Sequence, residues 1–324
     1  MHNATVVLTT MLTTVAVAVG APSASMAAAP APVRTAPTTL SVAQHLPTCT
    51  PQTAIDRMVA YIRTQQQPDG SFPSIGQSST ADAVYALAAS GVNPSGVTNN
   101  GNSAIDWIYS QTGSLASTGT AAKFLLALIL SGRSTTAPNG FDFVARVVNA
   151  YDQNTGLYDP NPTGNAYALI AVRAAGQPVP SRALQVWGGL QQSDGGWSAY
   201  LPQQNSDTNT TAVAIIALVV NQRLARIPAA LQYLRTQQSA DGGFTFSTVF
   251  GTDSDANSTG LVILALLATL QNLSDWEKNG VDPVERLLQL QNPSGAFRYS
   301  DAFPDDNAFA TFQAGQAAGV TRCH

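Results

Sequence analysis

The chain has 324 residues, 44% of them apolar and 10% charged, which is ample for one large hydrophobic core. A net charge of −4 and only two lysines, Lys123 and Lys278, leave no basic surface for a nucleic-acid backbone or anionic lipid. The three histidines, His2, His45 and His324, fall at the ends of the chain, so no zinc tetrad of Cys and His can assemble between them.

In chain order, Val6 to Gly20 forms an apolar run rich in Thr, Ala and Val, too short to span a bilayer, followed by small residues up to Ala29. This predicts a signal peptide over residues 1–29. No Lys or Arg precedes the apolar run, and the alternative is an uncleaved tail. Residues 30–47 are rich in Pro, Ala and Thr without helical periodicity and predict an extended linker. The folded unit is then 48–324. No other segment has the uninterrupted apolar length of a membrane span.

From residue 50 onward a turn recurs. It is seen at Gln67 to Phe72, Gln111 to Leu115, Asn154 to Tyr158, Gln192 to Trp197, Ser239 to Phe244 and Pro293 to Phe297. Its glycines, Gly70, Gly113, Gly156, Gly195, Gly242 and Gly295, are spaced by 43, 43, 39, 47 and 53 residues, one helical hairpin per repeat. Each glycine is expected to take the left-handed conformation that stops a helix, and each following aromatic to fasten one repeat to the next. The segments leading into the turns are amphipathic: between Arg182 and Gln191, Leu184, Trp187 and Leu190 share one face. Ile227 to Gln237 and Pro283 to Gln291 repeat the pattern. The segments after the turns are apolar nearly all round, as at Ala121 to Leu130, Thr211 to Val220 and Gly260 to Leu267, and must be buried on every side. Six outer helices around six inner ones follow: an all-α fold, an α6/α6 toroid of six helical hairpins.

Cys49 and Cys323 stand at the two ends of this unit. In an exported protein they predict one disulfide, which requires the first and last repeats to meet. Two free thiols are the alternative. An open solenoid would instead need polar capping repeats.

The turns at Gln191 to Trp197 and Gln238 to Phe244 resemble the repeat of the prenyltransferase and squalene-cyclase superfamily, a ring of helical hairpins also used by cobalamin carriers. The resemblance covers residues 50–320 and implies the toroid; it implies much less about activity, because one fold carries many chemistries. In class II terpene cyclases of this superfamily an Asp-x-Asp-Asp-Thr-Ala motif supplies a protonating acid at an inner-helix start. The matching stretches here, Asp207 to Ala212 and Asp255 to Gly260, carry Asn209 and Asn257 at the acid position, and an amide cannot deliver that proton. Aligned on Asp306-Asn307-Ala308-Phe309, the sixth repeat keeps a carboxylate there, so Asp305 and Asp306 are the catalytic candidates of a cyclase reading. A protein prenyltransferase would need Cys and His ligands that are absent between Cys49 and Cys323.

Helix capping explains Ser, Thr, Asp and Asn at helix starts. The functional alternative is a ring of ligand-binding groups, Asp207, Asn209, Asp255, Asn257, Asp305, Asp306 and Tyr167, around one mouth of a central cavity. These readings predict a secreted or cell-surface monomer that binds a hydrophobic or amphipathic small molecule, with no metal and no cofactor of its own. By resemblance to the carriers, cobalamin is one candidate cargo, with a separate chain serving as lid or surface partner. The alternatives are a terpene-cyclase-like enzyme and a non-catalytic surface interaction module.

Overall fold

The computed structural model describes residues 49–323. The expected signal peptide (1–29) and linker (30–47) lie outside the described residues, as do residue 48 and His2, His45 and His324.

Twelve α-helices are present among the described residues, two per repeat. The outer helices are α1 (Gln52–Thr64), α3 (Ala104–Ser110), α5 (Phe143–Val148), α7 (Ser181–Gly189), α9 (Ile227–Thr236) and α11 (Pro283–Gln289). The inner helices are α2 (Ser79–Ala89), α4 (Thr118–Leu130), α6 (Pro162–Ala174), α8 (Thr208–Val220), α10 (Ala256–Ala268) and α12 (Ala308–Val320). Two short antiparallel hairpins, β1–β2 (Thr98–Asn99, Asn102–Ser103) and β3–β4 (Arg298–Ser300, Phe303–Asp306), are loop decorations.

The outer helices bury one stripe each: α1 buries Ala54, Ile55, Met58 and Ile62 on one face, with Val59 and Tyr61 half-buried beside it. The inner helices pack in the order α2, α4, α6, α8, α10, α12 and back to α2, so the ring closes. Small residues set the closest approaches. A Cβ on Gly119 would fall 2.6 Å from Gly164 Cα of the next inner helix, and one on Gly260 2.9 Å from Ala314 Cα.

The seam between the last and first repeats is held in three ways. Cys49 and Cys323 form a disulfide with Cα atoms 5.0 Å apart. Thr50 N–H donates to Thr321 O at 2.9 Å, and Cys323 N–H donates to Thr50 O at 3.0 Å. The Gln291 amide donates to Ala54 O at 2.9 Å.

That last contact belongs to a repeating latch. Gln66, Gln191, Gln238 and Gln291 each donate through Nε2 to the carbonyl of the turn glycine four residues on, and to a backbone carbonyl at or just before the next outer helix, Val97, Arg226, Trp276 and Ala54 respectively. Each amide, buried at Gln66 and Gln238 and half-buried at Gln191 and Gln291, thereby joins two repeats and satisfies backbone carbonyls. The glycine itself does not stop the helix. α7 ends at Gly189 with Leu190 as a right-handed cap, while Gly195 (φ +92°) closes a tight turn onto Gln192 O. Its missing Cβ lets the turn touch the next repeat: Gly70, Gly195, Gly242 and Gly295 abut the backbones of Ser103, Ala229, Val281 and Arg57. Gly113 departs from the pattern and lies in a 3-10 turn without positive φ.

Candidate functional site

In five of the six turns the aromatic is buried and its backbone N–H is taken by a side chain on the following inner helix, while the second turn ends in half-buried Leu115. Phe72, Tyr158, Trp197, Phe244 and Phe297 donate to Thr80, Asn165, Thr211, Thr259 and Thr311 at 2.8–3.0 Å. These anchors put the inner helices in one register, with Ala121 standing at that place in α4. Two residues on come Asp82, Lys123, Tyr167, Val213, Leu261 and Gln313, one from each inner helix. Three residues further come Tyr85, Leu126, Ile170, Ile216, Leu264 and Gln316. Helical periodicity directs both layers to the same face, the bore of the ring.

The bore holds two chambers. The first opens among the inner-helix starts, has a volume of about 360 Å³, and is lined by Ser78, Thr120, Lys123, Thr163, Asn209, Thr210 and Gln313 along with Phe246 and Phe309. The second lies toward the helix C-termini, has a volume of about 110 Å³, and is walled by Leu126, Ile170, Ile216, Leu264, Val220 and other aliphatic side chains. Tyr167, Val213 and Leu261 line both, so the Asp82–Gln313 layer is the boundary between them.

That layer carries a buried ion pair. Lys123 Nζ lies 2.6 Å from Asp82 Oδ2 and 5.1 Å from the centre of the Tyr167 ring. The Tyr85 hydroxyl donates to Lys123 O at 2.6 Å, bridging α2 and α4. Burial, then the Asp82 charge, pushes the Tyr167 phenol far above its ordinary range. Asp82 Oδ1, Gln313 Oε1 and Asn209 Oδ1 are buried with no hydrogen-bond partner among the described residues.

The helix-start carboxylates have structural duties. Asp207 Oδ1 accepts from Thr210 N–H at 2.7 Å and its Oδ2 from Ala199 N–H at 3.0 Å. Asp255 Oδ1 accepts from Ser258 N–H at 2.7 Å. Burial outweighs these hydrogen bonds, raising Asp207 above the usual carboxylate range and Asp255 to about 6. Ser117, Asn161 and Asn307 cap α4, α6 and α12 in the same way.

Of the residues expected at the mouth, Asp207, Asn209 and Tyr167 line the polar chamber. Tyr167 does so from within α6, not from a loop. Asp255 is a buried cap, and Asn257 is buried beside it with its Oδ1 unpartnered. The sixth-repeat alignment shifts by three residues: Asn307 is the cap and Thr311 the anchor, so Phe309, not Asp306, stands where Asn209 and Asn257 stand. Asp305 and Asp306 instead lie on exposed β4, where Asp306 accepts from Asn292 and Ser294 at 2.8 Å. Asp82, Lys123 and Gln313 were not singled out from sequence as bore residues. Their signal was a lysine and a glutamine on inner helices that are otherwise apolar, and an aspartate two residues after the anchoring Thr80.

Residues 20–142 and 163–288 match the family model of the prenyltransferase alpha-alpha toroid domain, and the chain belongs to that family. Among solved structures, it is similar to a variant of the type II terpene cyclase MstE from Scytonema in complex with its substrate, geranylgeranyl dihydroxybenzoate. That similarity has a TM-score of 0.60 at 14% identity and covers 83% of this chain and 96% of that one. A protein from Actinoplanes (TM-score 0.56, 16% identity, covering 83% and 98%) and a glycosidase (0.53, 11%, covering 83% and 96%) share the fold. No curated protein matches the sequence.

Size corrects the cobalamin expectation. The larger chamber, about 360 Å³, is at the lower end of small-ligand sites, and a corrin with its side chains exceeds it.

Proposed function

We propose that the protein binds one amphipathic molecule of isoprenoid type in its bore, head in the polar chamber and only the far end of its chain in the apolar one. The observation that carries this reading is the two-chamber bore itself, polar on one side of the Asp82–Gln313 layer and aliphatic on the other. Two further facts support it. The loops leading into the inner helices expose Ile75, Tyr200, Val249, Phe250 and Phe303, an apolar approach for a greasy ligand. The substrate held by the Scytonema cyclase is of this kind, an isoprenoid chain on a polar ring. Export completes the reading: the apolar N-terminal run and the Cys49–Cys323 disulfide both suit an oxidising compartment.

A second reading is catalysis of the type II cyclase kind, favoured by Asp207 and Asp255, buried carboxyl groups at inner-helix starts held above their ordinary range. In it, a carboxyl protonated at mildly acidic pH starts the reaction. Asp207 fits poorly as the donor, because both its oxygens accept backbone N–H groups.

One experiment separates the readings. The purified protein is incubated with geranylgeranyl and farnesyl compounds at pH 5 to 7, and both bound and free material are analysed by mass spectrometry and chromatography. Unaltered isoprenoid retained by the folded chain supports binding. An isomerised product that disappears in Asp255→Asn supports catalysis. Neither retention nor turnover overturns both.

A further inference from the structure

We infer that the head of the ligand is a neutral hydroxyl, as in an isoprenoid alcohol or phenol, seated on the Asp82–Gln313 side of the bore; this rests on the binding reading above. Two side chains that line the polar chamber, Gln313 and Asn209, carry buried acceptors, Oε1 and Oδ1, without hydrogen-bond partners among the described residues, and Asp82 Oδ1, in the same layer as Gln313, is a third. Asp82 is 3% exposed, and its other oxygen is occupied by Lys123. Asp82 and Gln313 hold equivalent positions on α2 and α12, which pack side by side. Unpartnered buried acceptors in a ligand chamber call for a ligand that donates.

The charge balance selects among donors. Lys123 is the only cation lining the polar chamber among the described residues, and Asp82 already neutralises it. Asp207 adds a second carboxylate at the same mouth. A diphosphate or carboxylate head would find no free positive charge on the described lining and would face the Asp207 carboxylate. An ammonium head would donate well but would lie beside the Lys123 ammonium. A hydroxyl meets the acceptors and adds no charge to a closed space.

The test compares farnesol, farnesyl diphosphate and farnesene by equilibrium dialysis against the wild-type chain and Gln313→Leu, with circular dichroism confirming the fold. Farnesol is expected to bind about tenfold more tightly than farnesene, the effect of one buried hydrogen bond, and more tightly than the diphosphate. Gln313→Leu should bring farnesol close to farnesene and leave farnesene unchanged. Should that variant not fold, the paired change Asp82→Leu with Lys123→Met removes the same acceptor side without stranding a charge, and the same loss of preference is expected. A diphosphate that binds as well as the alcohol, or an alcohol preference that survives the substitution, overturns the inference while leaving the binding reading intact. Failure of all three compounds to bind overturns the binding reading itself.

Discussion

At the scale of single residues, the bore keeps polar groups where an aliphatic plug would be more stable. A buried ion pair gains little over well-packed apolar side chains, but breaking it by removing one partner is severe. Lys123→Met leaves Asp82 charged and buried, and should destabilise the fold by about 3–5 kcal/mol in denaturant titration. Adding Asp82→Leu should recover most of that loss. Asp255 makes a related case in pH. Its folded-state value of about 6 lies above the ordinary 3.8, so between those values the native state binds more protons than the unfolded one. Its contribution to stability therefore falls as pH rises from about 4 to 6, and the penalty is complete above that window. Asp255→Asn keeps a capping side chain, as Asn307 does on α12, and removes the penalty. The variant should gain on the order of 2 kcal/mol over wild type at pH 7.5 and little at pH 4, measured as the difference in unfolding midpoint. A variant equal to or weaker than wild type at both pH values would contradict the assigned burial cost.

At the scale of elements, the recurring turn is a joint between repeats, made of a glutamine, a glycine and an aromatic. The half-buried Gln191 amide donates to Gly195 O at 2.8 Å and Arg226 O at 3.0 Å, so Gln191→Ala leaves two carbonyls short of a partner. A loss of about 2–3 kcal/mol is expected, against near neutrality for exposed Gln67→Ala. Helix type was legible in the sequence: the apolar stripe of α7 and the all-round apolar surface of α8 distinguish outer from inner helices directly. The role of the glycine was not. A left-handed residue at a helix end and one in a following turn leave similar patterns, and only the contact with the next repeat, Ala229 for Gly195, tells them apart. The polar layer was hidden for a comparable reason. Asp82 and Lys123 lie 41 residues apart in different repeats, and neither falls in the cap motif on which the repeats were aligned. Once the anchors Thr80, Asn165, Thr211, Thr259 and Thr311 fix the register, the six bore positions follow by counting.

At the scale of the molecule, closure turns a row of hairpins into a container. The seam combines the disulfide, the backbone bonds of Thr50 with Thr321 and Cys323, and the Gln291 latch on Ala54. Because closure does not depend on sulfur alone, reduction should lower the unfolding temperature, by an amount reflecting at most about 5 kcal/mol of lost cross-link, without opening the fold in native solution. The relatives of known structure show how far shape underdetermines use: cyclase and glycosidase share this ring at 11–14% identity. The proposed function rests on the content of the bore. The most direct measurement of that content is native mass spectrometry of the folded chain with farnesol, in wild type and in Leu261→Trp, which fills the boundary between the two chambers. One molecule retained per wild-type chain, and none by a Leu261→Trp chain of unchanged circular dichroism, is the predicted result. Equal retention by both chains, or none by wild type, would contradict a ligand seated in the bore.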